Sequence, residues 1–319
     1  MLAFVAFFVI ICYHTPYSRP WIYGPVAFYA FDLACRMFRY RIKDAILESH
    51  DTQMTLVHIP HVTGGWVAGQ HVHLRAFFNA RIYESHSFTI ANAPSSISVL
   101  GDVHPGGITL GCRACGDWTR ELNALAQNGE KGDGVERVSV LLDGPYGGAT
   151  LDYGTFESIL LVAGGAGVTF TLGLLDDIVG RIVKLGRPSG ERTQRIMFAW
   201  YIRSFGAIKW FDRYFIAIAN AAQGSGVDVS FRVFVTCLCD PEAVPSIPNM
   251  TVEITKPPIS ELLAPLLEAT KSGSAGGVGV AASGPESLTR SAQNAVARIG
   301  PSTAASVGGV ELHTELFAL

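Results

Sequence analysis

Apolar residues fill positions Met1 to Tyr13 almost without interruption, and a second apolar run covers Trp21 to Phe38. A membrane-spanning helix needs about 20 predominantly apolar residues, so the first run reads as the end of a span and the second as long enough to cross. Trp21 and Tyr23 take the place of interfacial aromatics, and Asp32 stands where it can pair with Arg36 along one helix face. Arg36, Arg39, Arg41 and Lys43 then follow, against a lone Arg19 before the run. This bias predicts a membrane domain over 1–40 with everything after residue 40 in the cytosol. A signal peptide is the competing reading, but there is no basic start, and the run leads into His14, Pro16 and Arg19 instead of a small-residue cleavage site. A buried core helix is the other alternative.

Beyond residue 43 the pattern changes. Short alternating runs at Met54–Ile59, Gln70–Ala76, Ile108–Cys112 and Val138–Leu142, broken by Gly, Pro and Asn, predict an antiparallel β-barrel. From residue 158 strands and helices alternate instead. Strands are expected at Ile159–Ala163, Arg195–Tyr201, Asp228–Thr236 and Val278–Ala282, and helices at Val168–Leu185, Phe211–Ala222 and Leu288–Ile299. Such alternation predicts an α/β domain with a parallel sheet and a ligand crevice at the carboxyl ends of its strands. The expected division is 1–40, 41–150 and 151–319.

Composition supports a chain with two cores and some contact with lipid: 319 residues, 49% hydrophobic, only 16% charged. The net charge of -3 argues against general nucleic-acid binding, which needs basic stripes. Six cysteines, at 12, 35, 112, 115, 237 and 239, are too sparse for a disulfide scaffold and suit a reduced compartment. Cys112 and Cys115 have the spacing of half a zinc site, but Cys237 and Cys239 do not supply the other half, so the thiols read as buried or loop residues.

Three segments carry candidate chemistry. In His86-Ser87-Phe88-Thr89 an aromatic and a hydroxyl suit a flavin, Phe88 against its rings and Thr89 on its polar edge. Core packing and β propensity account for the same residues otherwise. Arg113 lies just before Gly116 and the predicted helix Thr119–Gln127, and a guanidinium beside a helix N-terminus makes a pyrophosphate site. An ordinary turn capped by Asp117 is the alternative. Gly164-Gly165-Ala166-Gly167-Val168-Thr169 follows an apolar strand and opens a helix, which lets backbone approach a diphosphate, although such glycines are common in tight turns.

In this order, with Gly144-Pro145-Tyr146-Gly147 closing the barrel, the motifs resemble the flavoprotein half of the ferric reductase and NADPH oxidase superfamily, itself similar to ferredoxin-NADP reductases. The resemblance implies FAD held by His86, Ser87, Phe88, Thr89, Arg113, Gly116, Trp118 and Thr119. It implies NADPH held by Gly164, Gly165, Gly167, Val168, Thr169, Arg203, Ser283, Gly284 and Pro285. Within Phe198-Ala199-Trp200-Tyr201-Ile202-Arg203, Arg203 would contact the ribose phosphate and select against NADH. Ser283-Gly284-Pro285 matches the family's Cys-Gly-Pro beside the nicotinamide. The tail Glu311-Leu312-His313-Thr314-Glu315-Leu316-Phe317 would fold Phe317 over the flavin until nicotinamide displaces it. Thr89, Ser283 and Phe317 thus stand at the reacting centre.

Two positions depart from the pattern. Ser87 replaces the proline of His-Pro-Phe-Thr, and Ser283 replaces a cysteine; slower or retuned hydride transfer is expected, not its loss. The family ligates haem with histidine pairs on membrane helices. His14 falls where the second of one pair would lie, at thirteen residues from Met1, so the chain is expected to begin just after its partner and to bind no haem alone. The implied activity is hydride transfer from NADPH to FAD, then single electrons towards Fe3+ or Cu2+ chelates outside a membrane, most naturally the plasma membrane. Metalloreductase is preferred because the Trp200–Arg203, Ser-Gly-Pro and tail motifs look closer to fungal ferric reductases. The alternatives are a superoxide-generating NADPH oxidase, a soluble flavin reductase and a non-catalytic membrane-anchored scaffold.

Overall fold

The computed structural model describes residues 2–39, 41–101, 103, 106–131, 136–186, 190–236 and 246–317. Helices α1 (Leu2–His14) and α2 (Arg19–Arg39) come first, separated by a tight turn at Pro16–Ser18. Arg19 closes that turn by donating from Nε to the Cys12 carbonyl at 3.0 Å. The expected spanning segment is corrected here: no described helix is long and apolar enough to cross a membrane. With 13 residues, α1 extends only about 20 Å at 1.5 Å per residue, and α2 dilutes its apolar run with charged positions and carries Pro25 inside it. The side chain of Arg36, expected to pair with Asp32, lies outside the described residues.

Six strands follow: β1 (Arg41–Ser49), β2 (Met54–Ile59), β3 (His71–Ala76), β4 (His86–Thr89), β5 (Ile108–Arg113) and β6 (Glu136–Tyr146). They form one antiparallel sheet in the order β4-β3-β6-β1-β2-β5, and the bridge Ile90–Leu110 brings its two edges together into a nearly closed barrel. Alternation does the work predicted for it: Val72 and Leu74 of β3 point into the core while His71 and His73 point out. Helix α3 (Asp117–Lys131) covers the barrel with Trp118, Leu122 and Ala126, spaced four residues apart on one buried face.

The second half alternates β7 (Ser158–Gly164), α4 (Val168–Gly180), β8 (Arg195–Ile202), α5 (Asp212–Ala222), β9 (Asp228–Val235), β10 (Met250–Glu253), α6 (Ile259–Ser272), β11 (Val278–Gly284), α7 (Glu286–Ala297), α8 (Pro301–Ser306) and β12 (Val310–Leu316). The sheet is parallel throughout, ordered β10-β9-β8-β7-β11-β12. β11 is buried along its whole length and β7 up to its last residue, as expected of apolar runs covered by helices on both faces. The helix predicted to run to Leu185 leaves α-geometry after Gly180 and widens into a π turn over Arg181–Leu185. There the Arg181 guanidinium pairs with Asp152, Asp177 and Glu191 at 2.9–3.0 Å.

Helix α4 docks on the barrel through two glycines. A Cβ on Gly173 would fall 2.8 Å from the Ile90 carbonyl oxygen, and one on Gly180 2.2 Å from that of Ile97. Between them Asp176 accepts the backbone N–H groups of Ala93 and Val99 at 2.8 and 2.9 Å. Its burial outweighs those bonds and pushes its pKa up to about 6. On the other flank, Trp210 donates to Asp51 at 2.7 Å and Arg213 of α5 pairs with Glu48 of β1. The two sheets are therefore held at a set angle from both sides.

Candidate functional site

The parallel strands β7, β8 and β11 end at Gly164, Ile202 and Gly284, and the turn just past β7 lies against β5 of the barrel. After β7 the chain turns at Gly165, whose φ of +54° is the left-handed conformation that favours glycine. The Trp200 indole N–H, fully buried in β8, donates to the Gly165 carbonyl at 3.0 Å and holds this turn. Gly164 and Gly167 are held to glycine by close packing. A Cβ on Gly167 would meet the Ser283 carbonyl oxygen at 2.3 Å, and one on Gly164 would meet Leu288 and Pro285 at 2.8 and 2.9 Å. Val168 and Thr169 are buried as well; the Thr169 hydroxyl donates to the Ala166 carbonyl, and its methyl sits against Gly111 of β5.

Across the cleft, Arg113 at the end of β5 reaches this turn: a Cβ on Gly165 would lie 3.7 Å from its Nη1. Arg203, just beyond β8, is exposed. Neither arginine has a carboxylate partner among the described residues, which leaves both guanidinium groups able to take a phosphate. Near Arg113 the start of α3 is partly self-capped: the Thr119 hydroxyl accepts the N–H groups of Cys115 and Gly116 at 3.0 Å each. Ser283 is fully buried at the end of β11, and its hydroxyl has no partner among the described residues.

In β4, Thr89 is half-buried and pairs in register with His71. Phe88 is half-buried and stacks at 6.1 Å on Trp118, while His86 lies 4.5 Å from the same indole. Trp118 is thus an internal support beneath His86 and Phe88, its own N–H without a partner among the described residues. Ser87, where the family pattern has proline, is exposed and bonds to His73 Nδ1 at 2.9 Å. Phe317 follows β12 and donates its backbone N–H to the Gly284 carbonyl at 3.0 Å, so tail and Ser-Gly-Pro segment meet. The structure therefore brings Arg113, Gly165, Ser283, Gly284 and Phe317 to one cleft.

His71 and His73, not singled out in the sequence, gather around Tyr146 of the Gly144–Gly147 segment. Their rings lie 5.4–6.1 Å apart, and Tyr146 donates to Asp143 at 2.6 Å. Burial, and then His73, lower the His71 pKa, with Glu315 opposing them. Two histidines at i and i+2 on the outward face of a predicted strand were the available signal.

His14 is exposed at the end of α1. Cys112 is buried in the barrel, which pushes its thiol pKa far up, and Cys115 is exposed; Cys237 and Cys239 lie outside the described residues. Among the described residues no cluster of three or more His, Cys, Asp or Glu could hold a metal. A cavity of about 630 Å³ opens at the opposite end of the sheet, beside Arg195, Asp228 and Asn249, away from these motifs.

Comparison with known proteins decides what such a cleft belongs to. Residues 39–150 match an FAD-binding domain family and residues 156–247 the ferric reductase NAD binding domain family. The chain belongs to the ferric reductase and NADPH oxidase superfamily. It carries the flavoprotein half. Mouse (Mus musculus) NADPH oxidase 1 is 29% identical over 228 residues, covering 70% of this chain and 36% of the relative. Respiratory burst oxidase homolog protein D of Arabidopsis thaliana is 30% identical over 156 residues, 40% of this chain and 16% of the relative. The chain thus spans little more than a third of the mammalian NADPH oxidases it matches. Its fold is that of a ferredoxin NADP+ reductase from Neisseria gonorrhoeae with bound FAD and NADP, at TM-score 0.57 and 12% identity, over 86% of this chain and 98% of the other.

This flavoprotein has an oxidoreductase's two nucleotide-binding domains, and the residues present fit both cofactors. Two guanidinium groups without carboxylate partners among the described residues suit phosphates, the Gly165 turn leaves backbone accessible, and the Ser283 hydroxyl, without a partner among those residues, leaves a bond to be made by a bound group.

Proposed function

We propose that the chain takes hydride from NADPH onto FAD and passes single electrons to an acceptor at a membrane, as a metalloreductase of the ferric-chelate type. The observation that carries this reading is the meeting of Arg113 of the barrel with the Gly165 turn of the parallel sheet, beside the Gly284–Phe317 contact. Bound FAD would supply the conversion of a hydride pair into single electrons. The protein's part is to bind, orient and exclude water. Arg113 and the start of α3 would neutralise a diphosphate, Thr89 would hydrogen-bond the polar edge of the flavin, and Trp118 keeps Phe88 in place from behind. Arg203, exposed and free of carboxylates among the described residues, would recognise a 2′-phosphate and so prefer NADPH to NADH. Ser283 would orient the nicotinamide.

A ferric acceptor is favoured by the family of residues 156–247, while the NADPH oxidase relatives favour oxygen as the second reading. Membrane association is supported by the apolar side chains that α1 and α2 leave exposed, among them Trp21, Phe28 and Phe31 at 83, 78 and 69%.

The test is an anaerobic titration of the FAD-loaded chain with NADPH, and with NADH in parallel, following the oxidised-flavin absorbance. Bleaching by NADPH at far lower concentration than NADH is expected. Retained FAD that neither nucleotide bleaches would refute the proposal and favour the scaffold. Ferric chelate against oxygen as terminal acceptor, and flotation with liposomes, check the two finer points.

A further inference from the structure

Among the described residues the C-terminal strand β12 is an edge strand, paired only with β11, so its grip on the sheet depends on what its side chains touch. A strand's period of two puts Glu311, His313, Glu315 and then Phe317 on one side. His313 is the best-anchored of them. Its Nε2 lies 3.2 Å from Glu315 Oε1 and its Nδ1 3.2 Å from Thr150 Oγ1 in the segment that joins the two sheets. Its ring stacks on Phe170 of α4 at 5.6 Å and 18°. Phe170 is itself buried and packs so closely on the barrel loop that a Cβ on Gly69 would come within 2.8 Å of it. A carboxylate can only accept, so Nε2–H donates to Glu315, while Nδ1 faces the Thr150 hydroxyl. One side chain, 13% exposed, thus ties together the tail, the inter-sheet segment and α4.

We propose that His313 is a positioning residue that clamps the tail in its closed place beside Gly284 and sets how readily an incoming nicotinamide displaces it. The proposal rests on reading Ser283–Pro285 as the nicotinamide contact. Each arm of the clamp has a separate physical origin: stacking on Phe170, a charge-assisted bond to Glu315, a hydroxyl bond to Thr150. Weakening the closed tail raises the fraction of molecules open to nucleotide, and apparent affinity rises in proportion.

The test compares the wild-type chain with His313→Phe, which keeps the stacking and loses both hydrogen bonds, His313→Gln, which can restore one, and Thr150→Val. Hydrogen–deuterium exchange over residues 311–317 is measured without nucleotide, and NADP+ binding is read from the flavin spectrum of the FAD-loaded chain. His313→Phe should speed exchange in that segment by about fivefold or more and tighten NADP+ by a similar factor, since each of the two lost hydrogen bonds is worth about two- to tenfold. His313→Gln and Thr150→Val should fall between it and wild type, with exchange in β7 and β11 unchanged. Wild-type exchange and affinity in His313→Phe would overturn the proposal, as would faster exchange spread over β7 and β11, which marks a merely structural role. Failure of NADPH to bleach wild-type flavin would count against the proposed function, while the exchange arm still judges the clamp.

Discussion

Glu48 offers a quantitative test of how the two sheets are joined. It sits on β1 of the barrel, pairs with Arg213 of α5, and accepts from His58 Nε2 at 3.2 Å, with His50 Nε2 at 3.4 Å. Burial by itself would raise its pKa, but bonds from His58 and Arg213, together with the Arg213 charge, bring it from an ordinary 4.5 to about 2. That difference corresponds to about 3 kcal/mol at neutral pH; because the side chain is 29% exposed, screening trims it towards about 2 kcal/mol. The folded-state value is depressed, so the contribution is fully present above pH 4.5 and is lost as pH falls through about 2. Glu48→Gln should therefore unfold at lower urea concentration than wild type at pH 7, by about 2–3 kcal/mol. The gap between the two proteins should close progressively below pH 4.5. Urea unfolding of both at steps from pH 7 to 2.5 measures it. A gap that stays constant down to pH 3, or one below about 0.5 kcal/mol at pH 7, would refute the account of Glu48 as an ionised clasp.

Further outcomes follow from single contacts. Arg203→Ser should raise KM for NADPH about tenfold or more and leave NADH almost unaffected, since only the former carries the phosphate that a guanidinium pairs with; steady-state kinetics with both nucleotides checks this. Ser283→Ala should stabilise the cofactor-free chain by about 1 kcal/mol, because its hydroxyl is buried without a partner among the described residues, yet slow flavin reduction. Calorimetry and stopped-flow absorbance report the two opposite signs. Gly167→Ala places a methyl 2.3 Å from the Ser283 carbonyl oxygen and should destabilise the chain and weaken NADP+ binding together. Trp118→Ala empties the space beneath His86 and Phe88, costing about 3–5 kcal/mol of stability and lowering FAD retention on gel filtration.

Much of this architecture was legible because it is local. Alternation at Met54–Ile59 and Gln70–Ala76 and the apolar runs Ile159–Ala163 and Val278–Ala282 each mark a strand from a few neighbouring residues, and glycine after a strand marks a turn. β1 was missed because Arg41 and Lys43 read as the charged flank of a helix, and β12 because its residues read as a tail. α2 shows the converse error: its apolar count suggested a crossing, while the polar positions spread along its length leave no stretch apolar enough.

What the sequence determined by itself was the order of elements, the barrel followed by the parallel sheet, and the residue types fit for phosphates and flavin. Only the tertiary structure decided which of those residues are available. It committed Gly164, Gly167 and Thr169 to packing, sealed Trp118 under Phe88, left Arg113 and Arg203 without carboxylate partners among the described residues, and drew His313 into contact with Thr150 and Phe170. The reason is that a periodic pattern is set by nearest neighbours along the chain. A side chain's partners are set by which surfaces meet when the two sheets dock, and that depends on contacts between residues more than a hundred positions apart, such as Thr150 and His313.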